Sequence, residues 1–155
     1  RADSVQLDVV GQVKPSHRLG EAHRVRHRCG ALHRAGRRRA GIEDRIPKVR
    51  LNGHPDRRIK STLSYSFLGL ESEAVLLALA TKGIYVSTGS ACSEESDEVS
   101  HVLTAIGLKP EIARATVRMS LGRFNSDEDI DIVLRELPEI IAKLRKISAW
   151  NPDGF

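Results

Sequence analysis

Two side chains in this sequence have the types and settings for group-transfer chemistry. Cys92 lies in Val86-Ser87-Thr88-Gly89-Ser90-Ala91-Cys92-Ser93, a stretch of small residues. Small neighbours leave a thiol accessible, and the thiolate is the nucleophile, so exposure and pKa govern its reactivity. Four acids follow at Glu94, Glu95, Asp97 and Glu98, and carboxylates held close would disfavour the thiolate. On its residues alone, a lone cysteine is more often structural than catalytic. Arg118 sits between Thr116 and Ser120 two positions either side. A guanidinium there could fork onto a carboxylate, a geometry lysine lacks; the plain alternative is a solvated strand arginine. His23, His27, Cys29 and His33 are metal-ligand types, but their spacing matches no zinc pattern. Lys14, in Val13-Lys14-Pro15-Ser16-His17, is a formal Schiff-base candidate. Pro15 marks a turn, and nothing nearby suggests a cofactor site.

The elements that must position these residues are readable from about Gly41 onward. Val49-Arg50-Leu51 reads as a short strand closed by the turn formers Asn52-Gly53-His54-Pro55. Thr62 to Phe67, rich in β-branched and aromatic residues, reads as a strand. Glu71 to Lys82 reads as a buried helix with acids in its first turn and Gly83 just past its end. Ile84 to Ser87 reads as a strand, residues 88–98 as a polar loop, and Val99 to Ile106 as a short helix stopped by Gly107, with a turn at Lys109-Pro110. In Ala115 to Leu121 the odd positions are apolar, and the period of two puts Arg118 on the opposite face. Ser126 is placed to cap a last helix whose apolar residues recur at 130, 133, 134, 137, 140, 141, 144 and 147, with a kink expected at Pro138. The resulting order β, β, α, β, α, β, α implies an α+β domain, a small sheet covered by amphipathic helices.

Charge divides the chain. Residues 1–50 carry 13 Lys+Arg and 5 Asp+Glu, whereas residues 51–155 carry 12 and 15. The net charge of +5 therefore does not describe a uniformly basic protein. No Phe, Tyr or Trp precedes Tyr65. A segment with few large apolar groups cannot offset its ordering entropy by burial, so disorder or a loose helix is expected over residues 1–40, an irregular, basic arm. Three units follow: the arm at 1–40, a domain at 41–147 and a tail at 148–155. Two cysteines cannot build a disulfide-dense secreted scaffold. The longest apolar run, Ala74 to Ala80, falls far short of the ~20 residues of a spanning helix. These features suggest a cytoplasmic protein with no membrane association. The arm lacks stacking aromatics and nucleic-acid motifs, so nucleic-acid binding is not expected.

The second part of the chain resembles a known family. Val49 to Pro55, Lys82 to Cys92, His101 to Leu108 and Val117 to Phe124, followed by Leu137-Pro138-Glu139-Ile140, occur in the order and register of the small C-terminal domain of cysteine desulfurases of the NifS/IscS type. The resemblance runs from about Gly41 to Lys146. It implies a fold like the C-terminal domain of fold-type I enzymes of the class V aminotransferase superfamily, which use pyridoxal 5′-phosphate (PLP). Such enzymes take sulfur from L-cysteine, release L-alanine and leave a persulfide on an active-site cysteine. Cys92 matches that cysteine and Arg118 matches the arginine that holds the substrate carboxylate. The implied partners are L-cysteine, a sulfur-acceptor or iron–sulfur scaffold protein and, in the complete enzyme, a second copy of the chain.

The sequence also departs from that pattern. The family's PLP lysine lies in a Ser/Gly-His-Lys segment followed by Gly-Pro-Lys-Gly, and no such segment occurs among these 155 residues. Nor does the Ser-Gly-Thr stretch that reaches the partner subunit's PLP phosphate. Ser61 replaces a typical asparagine and Val99 a common proline. Residues 1–40 do not resemble the end of the family's large domain, and their Arg, His, Gly and Ala enrichment is what out-of-frame translation of a GC-rich gene would give. The expectation is therefore a desulfurase small domain that is inactive alone. A non-catalytic module whose basic arm binds an acidic partner or RNA is the alternative, and a related PLP enzyme acting on selenocysteine is a third reading.

Overall fold

The computed structural model describes residues 5–6, 21–88, 99–122 and 124–149, with side chains from His33 onward. A two-residue strand β1 (Val5–Gln6) precedes helix α1 (Glu21–Arg45). Then come β2 (Val49–Leu51), β3 (Thr62–Phe67), α2 (Ser72–Ala80), β4 (Ile84–Tyr85) and β5 (Ser87–Thr88). Short helices α3 (His101–Ala105) and α4 (Pro110–Arg114) lead to β6 (Thr116–Ser120) and the long α5 (Asp127–Ile147). The main sheet has the order β2-β3-β6-β5 with every pair antiparallel; β1 and β4 form a separate parallel pair. The α+β architecture expected from the sequence is the one observed.

Alternation along β3 and β6 makes the sheet two-faced. Leu63, Tyr65 and Phe67 of β3, with Val117 and Met119 of β6, are buried in one core with Val75 and Leu79 of α2 and Ile130, Val133, Leu134, Leu137 and Ile141 of α5. Ile42 and Ile46 join this core from the end of α1. The α5 start is fixed by a capping box: Asp129 N–H donates to Ser126 Oγ at 3.3 Å, and Ser126 N–H donates to Asp129 Oδ2 at 2.9 Å. The helix runs on through Pro138 to Ile147. At its far end Arg145 donates to the carbonyls of Pro47, Lys48 and Leu68 at 2.7, 2.9 and 3.3 Å. One side chain thus joins α5 to the connection between α1 and β2 and to the turn after β3.

The chain departs from the sequence-based expectations in three places. The arm expected to be irregular up to residue 40 is helical from Glu21, and α1 crosses the boundary placed at 40/41. Ala35, Arg38 and Ile42 fall on one helical stripe and are buried. Arg34 and Arg37 pair with Asp127, and Arg37 also with Asp131, on α5. Alanine and arginine are also strong helix formers, so tertiary contacts and propensity together order a segment that few large apolar groups would hold. The strand expected at Ile84 to Ser87 is split at Val86, because β4 pairs with β1 and β5 with β6. Pro110, read as part of a turn, is the first residue of α4, where its missing N–H costs no helical bond.

The second face of the sheet is polar yet largely covered. Asn52, Ser66 and Thr116 are buried. Asn52 Nδ2 donates to Ser66 Oγ at 2.9 Å, with longer approaches to Ser64 Oγ and Thr116 Oγ1. Ser66 and Thr116 share a hydroxyl–hydroxyl bond of 2.7 Å, and Thr116 also lies within bonding distance of the Ile112 carbonyl in α4. Asn52→Ala would leave buried polar atoms short of a partner, and urea denaturation should show a loss of about 1–3 kcal/mol. On the other side, α1 crosses α5 at Gly41, where a Cβ would lie 2.6 Å from a Leu134 methyl carbon. Gly41→Val should therefore overpack this crossing and lower stability by about 1–3 kcal/mol in the same measurement.

Candidate functional site

Arg118 occupies the middle of β6, an inner strand of the sheet, and its side chain emerges exposed on the polar face while its neighbours Val117 and Met119 are buried. The antiparallel register sets Ser64 of β3 and Ser87 of β5 directly opposite it, one on each side. Side chains so placed share a face with Cβ atoms ~5 Å apart. Arg118 NH2 approaches Ser87 Oγ at 3.4 Å, and Ser87 Oγ in turn donates to the Thr88 carbonyl at 3.2 Å. Beyond Ser64, Asn52 completes the row, its backbone N–H bonded to the Ser64 carbonyl at 2.8 Å. The guanidinium is therefore flanked by two hydroxyls and backed by a buried amide and hydroxyl web.

Among the described residues no carboxylate forms an ion pair with Arg118. An exposed guanidinium between hydroxyls can accept a carboxylate, because its fork offers two parallel N–H donors. The arrangement offers no amine. Two of the described lysines are held in ion pairs, Lys82 with Glu136 and Lys143 with Glu139. The row thus supplies a cation for an anionic group and no lysine for covalent attachment of a cofactor.

Cys92 lies outside the described residues, four positions beyond the end of β5. Lys14 is likewise outside them, as are the side chains of His23, His27 and Cys29; His33 is exposed on α1. Ser64, Ser87 and Asn52 had not been singled out from the sequence. The alternation of Thr62, Ser64 and Ser66 with Leu63, Tyr65 and Phe67 carried a signal for the first. Ser87 and Asn52 are joined to Arg118 only through strand pairing.

A family model described as aminotransferase class-V matches residues 32–133. The cysteine desulfurase IscS of Methanosarcina thermophila is 51% identical over 111 residues, which are 72% of this chain and 28% of the relative. The cysteine desulfurase NifS of Azotobacter vinelandii is 43% identical over 116 residues, covering 74% of this chain and 29% of that protein. A solved NifS-like protein superimposes with a TM-score of 0.63 at 26% identity, over 75% of this chain and 28% of its own. A second NifS-like structure, from Rickettsia africae, has the same TM-score at 23% identity, over 74% of this chain and 29% of its own, and shares the fold. The chain thus spans less than a third of the length of these relatives. Because the family model covers well over half of its 155 residues, from within α1 to within α5, this chain belongs to the aminotransferase class-V family.

Proposed function

We propose that this chain is the small domain of a PLP-dependent cysteine desulfurase, in which Arg118 holds the substrate α-carboxylate and Cys92 receives the sulfur. The observation that carries this reading is the exposed Arg118 guanidinium between Ser64 and Ser87 on the polar sheet face. L-cysteine presents the carboxylate such a fork accepts. Ser87 restricts the guanidinium on one side. On the other, Asn52 reaches toward Ser64 at 3.4 Å, so the buried web steadies the row on which the arginine stands.

Cys92 is joined to β5 by a short stretch of chain. It lies four positions after Thr88, a separation of at most about 14 Å when the chain is extended. Its thiolate would form an S–S bond to the substrate sulfur as the substrate Cβ–S bond breaks. The electron pair of that bond stays with the carbon skeleton, which takes up the proton lost by the substrate thiol and leaves as L-alanine, and the sulfur stays on Cys92 as a persulfide anion. PLP, when bound in a complete enzyme of this kind, would supply the electron sink for such bond cleavage; Arg118 and its neighbours supply no lysine to hold it. A sulfur-acceptor or iron–sulfur scaffold protein would then take the persulfide sulfur, with a second copy of the complete enzyme and a cytoplasmic setting completing the reading. Among the described residues no helix is long and apolar enough to cross a membrane.

Two measurements test this assignment. The 155-residue chain mixed with PLP and L-cysteine should form no alanine or sulfide above the level without protein; turnover lost on Cys92→Ala would overturn that expectation. Residues 41–147 grafted in place of the matching segment of the Methanosarcina thermophila relative should support alanine formation from L-cysteine. In that chimera Cys92→Ser should abolish turnover. Arg118→Lys should lower kcat/KM by roughly 10- to 100-fold through loss of the charged fork. Full activity in Arg118→Lys would refute the carboxylate role.

A further inference from the structure

Helix α1 is held to the domain by two unlike sets of contacts that meet at Gly41. Downstream, Ile42 and Ile46 are buried in the main core, and Arg45 donates to the Leu134 carbonyl at 3.0 Å. Upstream, Ala35 is the one buried apolar side chain among residues 33–40. The remaining contacts there are made by arginines. Arg34 and Arg37 reach Asp127, and Arg37 reaches Asp131. Arg39 donates to the Pro55 carbonyl at 2.7 Å and pairs with Glu43, while Arg38 donates to the Ser61 carbonyl at 2.9 Å.

Arg38 is the weak point of that segment. It is fully buried, yet its Nε and Nη1 have no hydrogen-bond partner, and neither does Nε of Arg58 nearby. Burial holds the Arg38 guanidinium down to about 10, with Tyr65 acting against that shift and Arg58 adding to it. A buried cation without a carboxylate and with unmet donors opposes docking of the element that carries it. The ion pairs that offset this opposition lie at the surface on their carboxylate side, with Asp127 51% and Asp131 62% exposed; of their cations Arg37 is 37% and Arg34 15% exposed. Such pairs are screened by salt.

We propose that residues 33–40 are a salt-released strap, which swings on Gly41 away from α5 and the Asn52–Thr62 connection while Ile42 to Arg45 and the sheet stay packed. Gly41 suits the pivot, because glycine is the least helix-stabilising residue after proline. Release removes two of the guanidinium contacts on the connection between β2 and β3, those at Pro55 and Ser61. Only the internal contacts of Arg58, with the Asn52 and Thr62 carbonyls, then remain of the arginine bonds that hold its backbone. Ionic strength would thereby set the order of the segment that leads into the central strand.

Hydrogen–deuterium exchange on the whole chain tests this at about 0.01 M and about 1 M sodium chloride, between which the Debye length falls from roughly 30 Å to roughly 3 Å. The amides of residues 34–40 should exchange faster than those of β3 at both salts and accelerate further at high salt, with β3 unchanged. Arg38→Met should slow exchange in 34–40 by about tenfold or more, since it removes the unmet donors. Arg37→Gln should give fast exchange already at low salt and little response to added salt. Common exchange of 34–40 and β3 at both salts would overturn the proposal, as would faster exchange in Arg38→Met or an unaltered salt response in Arg37→Gln.

Discussion

The antiparallel pairing of Thr62–Ser66 with Thr116–Ser120 determines both the core and the site. Because side chains alternate, a single register sends Leu63, Tyr65, Val117 and Met119 into the core and turns Ser64, Ser66, Thr116 and Arg118 to the other face. A slip of one residue would reverse these assignments, pushing Arg118 among the apolar side chains of α5. The cost of burying that charge protects the register. The candidate receptor for a carboxylate and the stability of the core are thus two consequences of one set of backbone bonds.

That pairing accounts for what could be read in the sequence. The alternation in Thr62 to Phe67 and in Ala115 to Leu121 is local, so β3 and β6, and the outward face of Arg118, followed from it directly. Ser126 and the helical period from Ile130 to Ile147 gave α5 for the same reason. The misses were non-local. Val86 interrupts a run that looked like one strand because its two halves have different partners. The ordering of α1 depends on Asp127 and Asp131, some 90 positions away, and on a stripe that includes a charged residue where an apolar one is the rule. Ser87 and Asn52 belong to the site only through strand register, which no local pattern encodes.

The polar face joins recognition to rigidity. Asn52, Ser66 and Thr116 satisfy one another in a buried web, and the row containing Arg118 lies against it. An exposed arginine usually loses much side-chain entropy when it grips a ligand. Here the strand on either side and the Ser87 contact have already restricted it. Tyr65 plays a comparable part on the opposite face. Its hydroxyl donates to Glu43 at 2.9 Å, and burial together with that carboxylate raises its pKa, so it remains a neutral donor tying β3 to α1.

Arginine in this chain works largely as a backbone fastener, and Arg145 is the fullest case. Its partners are three neutral carbonyls, which neither take up protons in the working range nor attract a cloud of competing cations as a carboxylate does. A link of that kind keeps its strength from dilute buffer to brine. The end of α5 and the turns at Pro47 and Leu68 therefore form an anchorage indifferent to the medium. Added salt weakens instead the opposite end of the same helix, where Asp127 and Asp131 hold arginines of α1.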